Sequence, residues 1–205
     1  MKVGVVSDVH NNVEALTYAL DHLRDCDLVL GLGDLVSDYH VDPRILQVAR
    51  ERGLVSIAGN HEKSILLHPG SQIRSTLSAD TLDFLRQLPA AREIDLDGRC
   101  VHVAHGAPWD DPNDYRCAYV LERDLVTLGR VAATTRAEVV LLGHTHRAMT
   151  VRTEGTLVIN PGSCGEARDA AQRLTFARLD AAAGVASVFL VRPGLEPERL
   201  LQADF

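Results

Sequence analysis

Apolar residues cluster from Val3 to Val6, so Lys2–Ser7 reads as a buried strand. Val13, Leu16, Leu20 and Leu23 then recur at helical spacing, and a second apolar run, Leu28–Leu32, closes on Gly33-Asp34. The opening is strand–helix–strand. Asp42 before Pro43 has the form of an N-cap with proline in the first helical position, which predicts a helix to about Arg52, a stop at Gly53 and a strand over Leu54–Ala58. Strands alternating with helices imply a parallel sheet in this half. The second half changes style. Ile94–Leu96 and Arg99–Ala104 flank Asp97-Gly98, and Met149–Thr153 and Thr156–Ile159 flank Glu154-Gly155, both hairpin patterns. A helix around Leu121–Thr134, a buried strand Val139–Leu142 and a strand pair near Leu174–Leu179 and Val185–Val191 complete the reading. No repeat or linker breaks the chain, and Leu67–Ser75, with Pro69-Gly70, is the expected mobile loop.

Length and composition narrow the class. The 205 residues, 46% of them hydrophobic, suffice for one substantial core, so a single domain over residues 1–205 is expected. A formal charge of −7 argues against a protein that grips a nucleic-acid backbone, although a small anionic substrate remains compatible if bound cations invert the local field. The apolar run behind Met1-Lys2 is too short for a signal peptide and no stretch approaches a membrane span, which points to the cytoplasm. Cys26, Cys100, Cys117 and Cys164 lie far apart without C-x-x-C spacing; free thiols, at least three of them buried, are expected.

The chemistry lies in where the polar residues fall. Asp8-Val9-His10 follows the first strand, Gly33-Asp34 the second, Gly59-Asn60-His61-Glu62 the third, His105-Gly106 the Arg99–Ala104 strand, and Gly143-His144-Thr145-His146 the Val139–Leu142 strand. In α/β sheets ligands bind in the crevice beyond the carboxyl ends of strands, so these groups can converge although scattered along the chain. If the segments are extended, i and i+2 side chains point the same way, pairing Asp8 with His10 and His144 with His146. Asp8, Asp34, Asn60, His10, His105, His144 and His146 form a mixed oxygen and nitrogen set suited to Mn, Fe, Zn or Ni rather than calcium. They are too many for one cation with an open position and about right for two that share a carboxylate.

D-x-H, G-D, G-N-H-E, H-G and G-H-T-H in this order resemble the calcineurin-like metallophosphoesterase superfamily, and Gly33-Asp34-Leu35-Val36, His105-Gly106-Ala107-Pro108-Trp109-Asp110 and Asn160-Pro161-Gly162-Ser163 are similar to its small bacterial and archaeal phosphodiesterase branch. The resemblance implies two mixed β-sheets packed as a sandwich with helices on both outer sides. It implies one metal held by Asp8, His10 and His146, a second by Asn60, His105 and His144, and Asp34 bridging them. His61 would be no ligand but the acid assisting the leaving oxygen. The implied activity is hydrolysis of a small, possibly nucleotide-derived phosphate ester by a metal-activated water, with Mn²⁺ the preferred cation and Fe, Zn, Ni or Mg as alternatives.

Departures from the family refine this picture. Leu35-Val36-Ser37-Asp38 contains no arginine after Gly33-Asp34, which disfavours a protein phosphatase. Asp38 sits one place off, so no carboxylate orienting His61 is identifiable. Asn11 replaces a glycine and Glu166-Ala167 a Gln-Pro pair. Arg168 is the candidate for an extra phosphate contact beside Asn60 and His61, set against a surface ion pair of little worth. His102 should point away from the metals, and packing is the favoured role for Trp109 and Cys164. Gly31-Leu32-Gly33 lacks the third glycine of a dinucleotide fingerprint. Two rival readings are a non-catalytic binding module on the same fold and a nuclease, the latter disfavoured by the acidic balance. A homodimer is compatible, and neither a stable nucleic-acid partner nor a membrane is expected.

Overall fold

The computed structural model describes residues 1–205. The first half forms strand β1 (Lys2–Val6), helix α1 (Val13–His22), β2 (Leu28–Gly31), α2 (Pro43–Glu51), β3 (Val55–Ser56), α3 (Asn60–Leu67) and α4 (Ala79–Gln87). Then come β4 (Ala91–Leu96), β5 (Arg99–Ala104), α5 (Leu125–Thr135), β6 (Val139–Leu141), β7 (Ala148–Thr153), β8 (Thr156–Pro161), β9 (Thr175–Asp180), β10 (Val185–Leu190) and β11 (Arg199–Asp204). They make a six-stranded sheet in the order β11-β10-β9-β1-β2-β3 and a five-stranded sheet in the order β4-β5-β6-β8-β7. Both are mixed: β1 runs parallel to β2 and antiparallel to β9, and β6 runs parallel to β5 and β8 while β7 is antiparallel to β8.

Period-two burial fixes the layers. Val3 and Val5 meet Leu30, Leu32 and Ile57 on the inner face of the larger sheet, opposite Val101, Val103, Val139, Leu141, Leu157 and Ile159 of the smaller one. Each such side chain, fully buried, stabilises the sandwich by about 1.5–3 kcal/mol. Residues of the other parity cover the outer faces. Val140 and Leu142 meet Leu128 and Val131 of α5, while Val6 joins Leu16, Leu20, Ile45, Leu46, Ile65 and Leu85 under α1 to α4. The order is therefore helices, sheet, sheet, helix, as the resemblance implied.

Local signals account for the element ends. Asp42 Oδ1 accepts from Arg44 N at 2.9 Å ahead of Pro43, so α2 begins as the sequence predicts. The second-half helix starts at Leu125 rather than Leu121, because Asp124 accepts from Thr127 N and caps it there. Three elements lie outside the sequence reading, the first being helix α3, which starts directly behind Gly59. Helix α4 is capped by Ser78 and buries Leu85, and β11 is an edge strand beside β10 with little clean alternation. The Leu67–Ser75 segment is not wholly irregular, since a 3₁₀ turn covers Ile73–Thr76. The cysteine expectation is corrected: only Cys164 is buried, Cys26 and Cys117 are partly covered, and Cys100 is exposed, because Cys100 projects from a β4–β5 hairpin whose pattern is half solvent-facing. No helix is long and apolar enough to cross a membrane.

Candidate metal centre

The parallel strands β1, β2 and β3 of one sheet, and β5 and β6 of the other, end on the same side of the sandwich. The loops leaving those ends bring Asp8, His10 and Asp34 together with His146, and Asp34 again with His105 and His144, the ligand atoms of each group lying within 4.8 Å of one another. His105 Nε2 stands 3.2 Å from Asp34 Oδ2 and 3.0 Å from Asn60 Oδ1. His146 Nε2 is 3.2 Å from Asp8 Oδ1 and 3.2 Å from His10 Nε2. Asp8, Asp34, His105 and His146 are buried.

The route to this convergence differs from the sequence expectation. Asp8, His10, His144 and His146 are not in extended chain; their φ values are 52°, 46°, 68° and 56°, and Asp34 has 53°. Left-handed backbone in non-glycine residues is strained and concentrates at functional sites. Here it is over-determined by hydrogen bonds: Val9 N and His10 N both donate to Asp34 O, at 2.8 and 3.1 Å, and Asp8 N donates to Gly33 O at 3.1 Å. Asn11 also has a left-handed φ of 65°, a conformation asparagine tolerates, which explains how it replaces glycine. Its side chain donates to His40 O and accepts from Asp42 N, tying this loop to the next.

Hydrogen bonds orient each ligand-type side chain. Ser7 Oγ and His144 N donate to Asp8 Oδ2 at 2.6 and 3.1 Å, leaving Asp8 Oδ1 buried without a partner. His105 Nδ1 donates to Leu32 O at 2.7 Å and His146 Nδ1 to Glu166 O, so both rings turn Nε2 inward. Fixing the outer ring nitrogen in this way is how proteins set a metal-ligating tautomer. Tyr119 stacks on His144 with centroids 4.3 Å apart.

The electrostatics are those of a cluster built around positive charge. Burial raises the Asp34 and Asp8 carboxyls, yet the neighbouring imidazoles outweigh it and hold both below the usual carboxylate range. Burial opposes protonation of His105, but Asp34 and Asp8 overcome it and lift the ring to about 10. His144 is pushed down to about 4 by burial and by His105, and His10 is lowered chiefly by burial. An orphaned buried carboxylate oxygen, inward-facing imidazole nitrogens and Asp34 common to both groups fit a divalent-metal centre.

His61 lies at the second position of α3, next to this cluster. Its Nε2 is 3.8 Å from Asp34 Oδ2, and its amide donates to Asp34 Oδ1 at 2.9 Å. The carboxylate facing His61, not identifiable in the sequence, is Asp38 despite its offset: Nδ1 faces Asp38 Oδ1 at 3.0 Å, with the Asp38 amide equally near, and Ser64 Oγ donates to Asp38 Oδ2 at 2.8 Å. A paired Ser37–His40 turn bends the chain back and absorbs the one-residue offset.

Several supporting residues had no assigned role in the sequence. Glu62 is buried, and its carboxylate accepts from Asp34 N, Gly59 N and Val36 N at 2.8, 2.8 and 3.1 Å. It locks the Asp34 loop to the start of α3; its position three residues after Gly59 was the readable sign. Ser163 Oγ donates to Asp8 O at 2.7 Å, and Asn160 Nδ2 to Gly143 O at 2.6 Å, so the Asn160–Ser163 stretch braces both ligand loops. Arg168 instead pairs with Glu166 at 3.1 Å on the surface, and nothing brings its guanidinium to the cluster. His102 lies on the opposite face from Val101 and Val103. Cys164 is core, and Trp109 packs beside α5 with Arg130 3.9 Å over its ring.

This geometry agrees with what the chain is similar to. Residues 1–184 match the calcineurin-like phosphoesterase superfamily domain, and the chain belongs to that family. An uncharacterized protein of Methanocaldococcus jannaschii is 23% identical over 87% of this chain and 82% of its own length. The fold is similar to a metallophosphoesterase from Sphaerobacter thermophilus, with a TM-score of 0.76 at 23% identity over 94% of this chain and 88% of that one. It is also similar to an archaeal phosphodiesterase, with a TM-score of 0.61 at 20% identity over 93% of this chain and 99% of that one. At these identities the structural likenesses establish the fold alone.

Proposed function

We propose that the protein is a dinuclear metal-dependent phosphoesterase that hydrolyses phosphodiesters. The observation that carries this reading is that Asp34 belongs to both ligand groups, buried and flanked by inward-facing imidazoles. Asp8, His10 and His146 would hold one cation and Asn60, His105 and His144 the other. The mixed donor set favours Mn²⁺, with Fe, Zn, Ni or Mg as alternatives. Such a pair, when bound, supplies Lewis acidity that lowers the pKa of water and offsets charge on a phosphoryl group.

The chain's own residues supply the rest. His61 stands beside Asp34 with Nδ1 held by Asp38, so Nε2 is aimed at the space above the cluster, where a leaving oxygen needs a proton. Burial of Asp8 and Asp34 lowers the local dielectric and strengthens every electrostatic contact there. Two considerations favour a diester. Arg168 is paired with Glu166 rather than turned to the cluster as a clamp for a monoester dianion, and one of the similar folds is described as a phosphodiesterase.

The test uses bis(p-nitrophenyl) phosphate with Mn²⁺. Wild type should release nitrophenolate only with metal, and Asp34→Asn should lose at least a hundredfold in kcat together with bound metal. Full activity and metal content in Asp34→Asn would end the reading. Metal uptake without any turnover on a panel of esters would favour a binding module instead.

A further inference from the structure

Lys63 is 7% exposed, and no carboxylate or hydrogen-bond acceptor in the chain pairs with it. It lines a cavity of about 190 Å³ whose wall includes His105, Gly106, Asp110 and Cys117. The stem of Lys63 is covered while its ammonium keeps solvent access and has no ion-pair partner, so it is free to meet an anionic group in the cavity. The nearby acids are engaged elsewhere: Asp110 Oδ2 accepts from Ala118 N at 3.0 Å, and Asp114 takes a bidentate contact from Arg116. Gly106 allows the close approach of Asp110 and Cys117 in the cavity wall, since a Cβ there would sit 2.5 Å from Asp110 Oδ2 and 2.8 Å from the Cys117 Cβ.

The position of the cavity relates it to the chemistry. Lys63 follows Asn60 by three residues on α3, which puts the two on one helix face about 4.5 Å apart along the axis. His105, whose Nε2 contacts Asn60 Oδ1 and Asp34 Oδ2, forms a wall common to the cluster and the cavity. A group seated against Lys63 would therefore belong to the molecule being hydrolysed.

We infer that Lys63 and its cavity form a subsite for a second phosphate group of the substrate, adjacent to the phosphodiester that is cleaved. This deepens the proposed function and rests on it. The substrate class is then a phosphodiester bearing an additional phosphate, as in a nucleotide derivative with phosphates at two positions, rather than a singly charged diester.

Two measurements test this. In the first, metal-stripped protein is titrated with inorganic phosphate by calorimetry. Wild type and Lys63→Arg should bind saturably, and Lys63→Met, which keeps the apolar stem, should bind at least tenfold more weakly. In the second, thymidine 5′-(p-nitrophenyl phosphate) is compared with its 3′-phosphorylated form in Mn²⁺. Wild type should favour the 3′-phosphorylated ester at least tenfold in kcat/KM through KM, and Lys63→Met should lose that preference. Phosphate affinity unchanged in Lys63→Met, absence of saturable binding in wild type, or no preference between the esters would each overturn the inference. If neither ester is cleaved, the phosphodiesterase reading fails, while the phosphate titration still decides the subsite.

Discussion

Asp38 holds the imidazole of His61 by Nδ1 at 3.0 Å and is itself held by Ser64 at 2.8 Å, so ring orientation depends on a residue that touches none of the ligand-type side chains. Asp38→Asn should leave the metal content unchanged and lower kcat by about 10–100-fold, part of the roughly 10²–10⁴-fold that a well-placed general acid contributes. Metal analysis beside steady-state kinetics checks this; unchanged kcat would remove Asp38 from the mechanism. The protonation of His105 gives a second expectation. With its pKa raised to about 10, the ring carries a proton at pH 7 in the metal-free protein, whereas His144, pushed down to about 4, does not. That raised pKa stabilises the metal-free fold fully below the ordinary histidine value near 6.5, and the contribution fades as pH rises through about 10. A cation competes with the same proton, so metal affinity should rise with pH between about 6.5 and 10. Calorimetry at pH 7 in buffers of different ionisation enthalpy should show about one proton released per chain on loading. No release would contradict the assignment of His105. Residue types and order were readable without a structure; the Asp38 partnership was not, because it depends on the path of the Ser37–His40 turn.

At the level of elements, short contacts between loops hold the site. A Cβ on Gly59 would sit 2.2 Å from Asp34 Oδ1 and 2.5 Å from Asp34 N, and neither atom can retreat, since Glu62 fixes that amide and His61 N binds that oxygen. Gly59→Ala should therefore destabilise the fold by about 1–3 kcal/mol and weaken metal binding with it. A denaturant midpoint equal to wild type would show the contact to be soft. The same level shows what the sequence pattern carried. Strands β1, β2 and β6 appeared as buried apolar runs and α2 through Asp42-Pro43, because burial and capping leave local marks. Strand β11 left no such mark. It is a half-exposed edge, paired through backbone to β10, and tertiary contact rather than its own pattern defines it. The left-handed turns at Asp8, His10, His144 and His146 were equally silent, since bonds to other loops, among them those with Gly33, Asp34, Glu166 and Ser163 and that between His144 and Asp8, hold them.

At the scale of the molecule, the sandwich joins two halves that each supply part of one site. The larger sheet contributes Asp8, His10, Asp34 and Asn60 from the ends of three parallel strands, and the smaller contributes His105, His144 and His146. The inner core of Val3, Val5, Leu30, Val103, Val139 and Leu141 packs the two sheets together behind those ends. Strand-end placement along the chain was enough to anticipate convergence; the order of strands within each sheet was not, because pairing partners lie far apart in sequence. The most direct test is anomalous diffraction from crystals grown with excess Mn²⁺. Two peaks per chain about 3.5–4 Å apart, with an Asp34 oxygen between them, are the predicted result. A single peak, or two with Asp34 bound to neither, would contradict it.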